Sequence, residues 1–525
     1  MGILDVFGTS HPWLWLATST SVAYLFATTV YNLYFHPAAR IPGPKLSGAS
    51  YVVYAYHWIR GRYPWYQEKL LHQYGDVVRV APNEVVFFRP QAAMDIYSPA
   101  VKNLELFRKT DAMDFGAGDL GYLWETDPVK RKAVAKKILP AFSSKAIRDK
   151  EPVVHRYLDF FVEKMKEVGG GSEGALMNDW LMWLGCDMGA DLAYSREFNQ
   201  MRDGKESDFV KMFRSTSFAG TLFQLARKLP IVGLIAPFCI PLGVWGSIPA
   251  VMRANAAEVH ARIEKRGKTT HKDFMEYMIP NDAPPPTSKK EITHLEQVAI
   301  QMFIAGFDPV QIVFYAALFF ALKHPKAHAA LAKEIRDAFG NYEEITADST
   351  AALPYLVGFV NETLRVHLTT PTGMPRVSPG ATVDGVYVPK GASPSHSNTP
   401  TGISTDPVTQ VVVQLSTFTA QRHEDYFTDP LEFRPQRWLP AEHPLYETRY
   451  ANDNLKAYFP FSLGPRQCTG REIAWSQTRL FLGKVLWTFD VEGVRGLQYS
   501  FDRDFSCHMM WNRPELWVRF LPRKQ

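Results

Sequence analysis

The chain predicts a mainly α-helical fold with a small β-sheet region, preceded by one N-terminal transmembrane helix. Three observations carry that expectation. Nine stretches (residues 64–74, 128–139, 151–168, 179–192, 208–228, 251–266, 289–321, 325–339 and 354–366) place apolar residues at three- and four-residue spacing, as one face of a helix requires. The strand-like runs VVRVAP, EVVFFR, ATVDGVYVP and VVVQLSTF are short, β-branched or aromatic, and end at turn residues. From Val6 to Ala39 there is no Asp, Glu, Lys or Arg.

The charge-free stretch comes first in the chain. Residues 13–35 are enough to cross a bilayer as a helix, and Trp13, Trp15, Tyr31 and Tyr34 lie near its ends, where amphipathic rings favour the interface. Asp5 is the only charge before it, and Arg40 and Lys45 follow it, so the positive-inside rule puts a short N-terminus (1–12) in the lumen and the body in the cytosol. An endoplasmic-reticulum membrane protein, single-pass, is the expectation; a core helix or an interfacial helix would read similarly. The run IPGP, inside a proline-rich hinge at 36–50, cannot continue the helix.

Residues 51–525 show no internal repeat and no second linker, which favours one mainly helical domain. Within it, ASPSHSNTPTGISTDPVTQ (392–410) has no aromatic residue, Lys or Arg and reads as a loop insertion; a retained intron would look the same. Residues 128–150 carry eight basic residues against the single acid Asp149, which is either a solvated helix face or a docking patch for an acidic protein. GAGDLG (116–121) spells a dinucleotide fingerprint, but it lacks the strand-then-helix context that motif needs and is expected to be a glycine-rich loop.

Composition, 46% hydrophobic and 21% charged, is globular, and a net charge of +5 on 525 residues gives no reason to expect a nucleic-acid partner. Cys186, Cys239, Cys468 and Cys507 form no C-x-x-C pair and no zinc-type spacing with histidine, so neither a disulfide framework nor structural zinc is expected.

Cys468 is set apart by its neighbours, FSLGPRQCTG. A thiolate is a soft ligand for iron if nearby donors stabilise its charge. Gly464 and Gly470 let backbone approach closely, Arg466 is suited to a cofactor carboxylate, and Phe461 is placed to cover one face of a flat ligand. The apolar run after Arg471 would leave as a helix. Such a loop suits a flat, metal-bearing, doubly acidic ligand such as haem.

This run matches F-x-x-G-x-R-x-C-x-G at every fixed position and so resembles the haem-binding signature of the cytochrome P-450 superfamily of haem-thiolate monooxygenases. Glu362 and Arg365 are similar to that family's E-x-x-R, and FRPQRW (433–438) to its F-x-P-E-R-F, with Gln436 in place of the acid. HPAARIPGPKL, YGDVVRVAPNEVVF, NDWLMWLGCDMGADLAY, GMPRV and VDGVYVPKG resemble segments of membrane-bound fungal members. The resemblance implies haem b as cofactor, Cys468 as axial iron ligand, Arg376 beside Arg466 on the propionates, and a structural triad of Glu362, Arg365 and Arg437. It implies dioxygen, electrons from NADPH through a cytochrome P-450 reductase with cytochrome b5 as a further partner, and oxidation of a hydrophobic small molecule in fungal secondary metabolite biosynthesis. The pocket is then expected over the haem, between residues 303–307 and the loop 115–123.

Two departures from the pattern bear on mechanism. Where the family has an acid followed by an alcohol, this chain has Asp308 and Pro309: the catalytic acid is kept and the hydroxyl is lost. Proline should also kink or open the helix at the carbonyls of Ala305 and Gly306. Where the family places a propionate arginine, this chain has Ala135, leaving Arg131 or Lys132 to substitute. A haem-thiolate enzyme that does not use dioxygen (peroxygenase, isomerase or dehydratase) and a non-catalytic haem-binding membrane protein fit the same residues.

Overall fold

A computed structural model describes residues 12–98, 100–101, 104–112, 114, 118–240, 242–390 and 410–523. The expected insertion at 392–410, apart from its last residue, lies outside them, as do residues 1–11 and 115–117. Helices dominate. Those that position the site or bear on function are α1 (Pro12–Val30), α2 (Pro128–Ile138), α3 (Met177–Tyr194), α4 (Asp208–Lys228), α5 (Pro230–Cys239), α6 (Lys289–Lys323), α7 (Pro354–Val366) and α8 (Arg471–Thr488).

At the N-terminus α1 forms where a helix is expected, and Trp13, Leu16 and Phe26 on it are 63%, 70% and 71% exposed. By length and composition, however, the one described helix apolar enough to cross a membrane is α6, which is packed inside the protein. Six Ser and Thr side chains among its 19 residues hold α1 below that level.

α6 is the central element. Ser288 and Glu291 form a reciprocal capping box that satisfies its first free N–H groups. Its interior is largely apolar, with Gln297, Gln301, Asp308 and Gln311 buried among apolar residues, because neighbours cover most of its surface. Gly185 and Gly189 of α3 face it so closely that a Cβ on Gly189 would lie 2.8 Å from Phe307 Cβ, so glycine there sets the helix spacing. On the other side Phe314 stacks on Phe481 of α8 with ring centroids 4.3 Å apart. Pro309 sits inside the helix, which continues unbroken to Lys323 instead of opening. Packing on both sides holds the turn that proline would otherwise release.

Five short strands make the main sheet: β1 (Val77–Ala81), β2 (Glu84–Phe87), β3 (Arg108–Lys109), β4 (Arg376–Val377) and β5 (Val412–Leu415), in the order β1-β2-β5-β4-β3. In the antiparallel β3–β4 pair, Lys109 stands directly opposite Arg376. ATVDGVYVP is a hairpin, not one strand, because Asp384 and Gly385 both take positive φ (46° and 78°) between Val383 and Val386. VVVQLSTF leaves its strand after Leu415 for a short helix, Thr417–Gln421. A second sheet, not anticipated, pairs Phe489–Arg495 with Trp517–Pro522 and that strand with Ala175–Leu176.

Candidate active site

Cys468 sits in the loop before α8, at a cavity of about 370 Å³ that α6, α7, α8 and the loop 122–124 enclose. The sulfur is deep inside the protein, yet the residue is exposed, because what it faces is the cavity and not bulk solvent. The Cys468 N–H donates to the Phe461 carbonyl (2.8 Å), which turns the loop back on itself. Burial pushes the thiol up; the Gly470 N–H on the sulfur and the charge of Arg471 ease it down. Gly464 has φ 69°, and a Cβ there would overlap the Tyr97 carbonyl, so its task is backbone approach to the neighbouring helix end. Phe461 lines the cavity wall.

Across from the sulfur-bearing loop, the cavity face of α6 comprises Met302, Ala305, Gly306, Pro309, Val310 and Val313. Ala305 is exposed in the middle of an otherwise buried helix, for the same reason as Cys468. Of the stretch 303–307, then, Ala305 and Gly306 form the wall, while Phe303 and Phe307 are buried and pack together on another side (5.0 Å between centroids). Tyr122 and Leu123 line the cavity from the loop; Phe115 to Ala117 lie outside the described residues.

Asp308 is not on that wall. Ala305 and Pro309, four apart, share the cavity stripe, and Asp308, one residue before Pro309, is turned roughly 100° away from it. Its Oδ1 accepts from Gln311 Nε2 (2.8 Å), its Oδ2 has no hydrogen-bond partner, and burial pushes the carboxyl up to about 6 against the pull of the Arg513 charge.

One edge of the cavity is cationic: Lys109, Arg131, Arg376 and Arg466 all line it. Arg466 Nε pairs with Glu105 at 2.5 Å, and both its Nη atoms are buried without a hydrogen-bond partner. Arg376 stacks over Tyr97 (5.1 Å), and burial together with Arg466 lowers its guanidinium to about 10. Arg131 donates to Tyr122 Oη at 2.8 Å. Of the two expected substitutes for an arginine at 135, therefore, Arg131 reaches the cavity; Lys132 is exposed on the outer face of α2. Lys109 was not foreseen, because nothing in the run FRKT marks it; only the β3–β4 pairing brings it there.

Glu362, Arg365 and Arg437 lie together in the structure. Arg365 holds Glu362 through two bonds (Nη2 to Oε1 2.8 Å, Nε to Oε2 2.9 Å), Arg437 Nε lies 3.1 Å from Glu362 Oε2, and all three side chains are fully buried. Burial alone would raise Glu362, but Arg365 and Arg437 bring it below the usual carboxylate range. Trp438 Nε1 (2.9 Å) and the Arg434 N–H (2.8 Å) complete its shell, so Gln436 in place of the family's acid leaves the arrangement intact.

A soft sulfur ligand backed by an N–H, a slot between apolar walls, and a buried cationic edge with unsatisfied guanidinium N–H groups fit a planar metal porphyrin with two carboxylates. Fold and site together define a haem-thiolate enzyme. A profile of the family described as Cytochrome P450 matches residues 44–395 and 409–508, passing over most of the expected insertion. Over 501 residues the chain is 42% identical to cytochrome P450 monooxygenase TwmD of Talaromyces wortmannii, covering 95% of this chain and 94% of the other. It is 31% identical to cytochrome P450 monooxygenase BOA3 of Botryotinia fuckeliana, covering 99% and 98%. The crystal structure of the cytochrome P450DA heme domain shares its fold with a TM-score of 0.67 at 16% identity, covering 88% of this chain and 92% of that one. The chain belongs to the cytochrome P450 family, and it is a haem-thiolate monooxygenase whose cofactor is haem b.

Proposed function

We propose that the protein is anchored in the endoplasmic-reticulum membrane and oxidises a hydrophobic small molecule of fungal secondary metabolism, with electrons from NADPH delivered by cytochrome P450 reductase and cytochrome b5 as a second donor. The observation that carries the chemistry is Cys468 facing, across one cavity, the small-residue stripe of α6.

Haem held there supplies dioxygen activation and insertion of one oxygen atom into a C–H bond. Cys468 would hold its iron through the sulfur, and the Gly470 N–H and the charge of Arg471 would support the thiolate. Arg466 and Arg376 would hold its carboxylates. Ala305 and Gly306 keep the cavity open across from Cys468, while Leu364, Leu368 and Val313 keep water from its apolar part. Pro309 has neither hydroxyl nor N–H, so the Ala305 carbonyl lacks its usual helical donor and is open to a water or a substrate hydroxyl. Asp308 Oδ2, with no hydrogen-bond partner, is the buried atom able to hold a proton behind that turn.

The membrane reading is supported by the exposed apolar side chains of α1 and by α5, where Ile231, Leu234, Ile235 and Phe238 are 55%, 70%, 51% and 90% exposed. Lys130, Lys132, Lys136 and Lys137 are exposed on α2 and offer a basic surface to an acidic reductase.

Two measurements test the reading. The reduced carbonyl complex is expected to show the long-wavelength Soret band of sulfur ligation, and Cys468→Ser to lose it. Metabolite comparison between hosts with and without the gene, under labelled dioxygen, is expected to reveal a product carrying label. Turnover in anaerobic, NADPH-free buffer without peroxide would replace the monooxygenase reading by an isomerase or dehydratase.

A further inference from the structure

We infer that Lys109 and Arg131 jointly hold the haem carboxylate that an arginine at position 135 would otherwise take, and that Gln301 of α6 positions them for it. The inference rests on the haem reading above.

Ala135 is 5% exposed and packed into the core, with no polar atom to offer. One turn earlier, Arg131 lines the cavity and is fixed by Tyr122, whose ring lies 4.8 Å beneath the guanidinium and whose hydroxyl accepts from Nη2. Lys109 arrives from β3. It is the direct cross-strand neighbour of Arg376, and both line the cavity. Like charges placed opposite one another on a sheet destabilise it unless an anion lies between them.

Among the described residues, Glu105 is the one carboxylate among the electrostatic partners of Lys109 and Arg376, and Arg466 already engages it. Three guanidinium groups and the Lys109 amine, which burial and the arginines beside it lower to about 7, face one carboxylate at a buried edge. Two propionates, one for Arg376 and Arg466 and one for Lys109 and Arg131, would supply counter-charge there. Among the described residues Lys109 has a single hydrogen-bond partner, the Leu123 carbonyl at 2.7 Å, so two of its three N–H donors remain for a ligand.

The partners of both cations belong to one loop, and one side chain fixes that loop. Gln301 Oε1 accepts the N–H groups of Tyr122 (2.9 Å) and Leu123 (2.7 Å), and its Nε2 donates to the Leu120 carbonyl (2.8 Å). Gly121 has φ 61°, and a Cβ there would come within 2.6 Å of Gln301 Nε2, so glycine is needed for the grip. Gln301 therefore sets Tyr122 under Arg131 and the Leu123 carbonyl against Lys109. It touches no propionate itself and is a positioning residue.

The test uses full-length holoenzyme and reads haem transfer to excess apomyoglobin, together with the propionate-bending band of the resonance Raman spectrum. Lys109→Met is expected to release haem roughly ten- to a hundredfold faster than wild type, the factor that one lost charge-assisted hydrogen bond represents. Its propionate band shifts while the sulfur-ligation band stays. Lys109→Arg is expected to hold haem as wild type does, and Gln301→Leu to shift the propionate band with a smaller gain in release. A wild-type release rate and an unshifted band in Lys109→Met overturn the inference. Should that variant fail to fold, Arg131→Met is read against the same two outcomes. The function reading is judged separately, since wild-type protein without haem or without the sulfur band defeats it before any variant is made.

Discussion

At position 309 a proline stands on the cavity face of a helix that does not break around it. Pro309→Thr would restore a donor to the Ala305 carbonyl and add a hydroxyl. The expected outcome is higher thermal stability, since proline inside a helix costs about 3 kcal/mol, and more product per NADPH consumed. A fall in that ratio would mean that the proline turn, with its open carbonyl, is itself what delivers protons. Asp308 behind it carries a pH signature. Burial lifts its carboxyl from the ordinary value near 3.8 to about 6. Between those values the folded state binds a proton that the unfolded state has lost, so this group's contribution to stability declines as pH rises through the window. The decline amounts to about 3 kcal/mol and is complete above the folded value. Asp308→Asn removes it. The melting-temperature gain of that variant over wild type should be near zero at the acid end of the window and largest above neutral pH; a gain independent of pH would show that the carboxyl is not desolvated.

Among elements, α7 and the loop before α8 carried their chemistry in contiguous residues. Glu362 and Arg365 are one helical turn apart, and Gly464, Arg466, Cys468 and Gly470 lie in one short run, so local spacing keeps each set together, while the buried triad is what the family resemblance implies. The cationic edge was only half legible for the opposite reason: Tyr122 meets Gln301 across 179 positions, and Lys109 reaches Arg376 by sheet pairing. Asp308 could be named from its motif but not oriented, because one residue of helical rotation decides whether a side chain faces the cavity. The C-terminal sheet was missed since its strand Phe489–Arg495 is mostly polar on its outer side. For α7 the expected outcome of Glu362→Ala is sharp. Arg365 and Arg437 would be left buried without their shared counter-ion, at a cost of about 3–5 kcal/mol. The yield of folded, haem-loaded protein should collapse, whereas a wild-type yield would show that the triad is dispensable.

For the molecule as a whole, the overall class was legible because amphipathic periodicity is strong in the helices Glu151–Val168, Pro325–Ala338 and α7; the expectation of an anchor rests on the residues flanking α1, since its moderate hydropathy alone does not suggest one. Removing residues 1–36 is expected to leave the haem spectrum unchanged and to shift the protein from the membrane pellet toward the soluble fraction after cell breakage. Complete retention in the pellet would place the attachment on α5 instead. The cationic edge, finally, has a bearing on how the enzyme is made. A chain that leaves synthesis with like charges forced together lacks part of its own cohesion, and the porphyrin completes it as much as it equips it. Iron or porphyrin shortage in the cell should therefore reduce how much of this polypeptide survives proteolysis, not merely how much of it turns over substrate, and immunoblots of starved and replete cultures would read the difference.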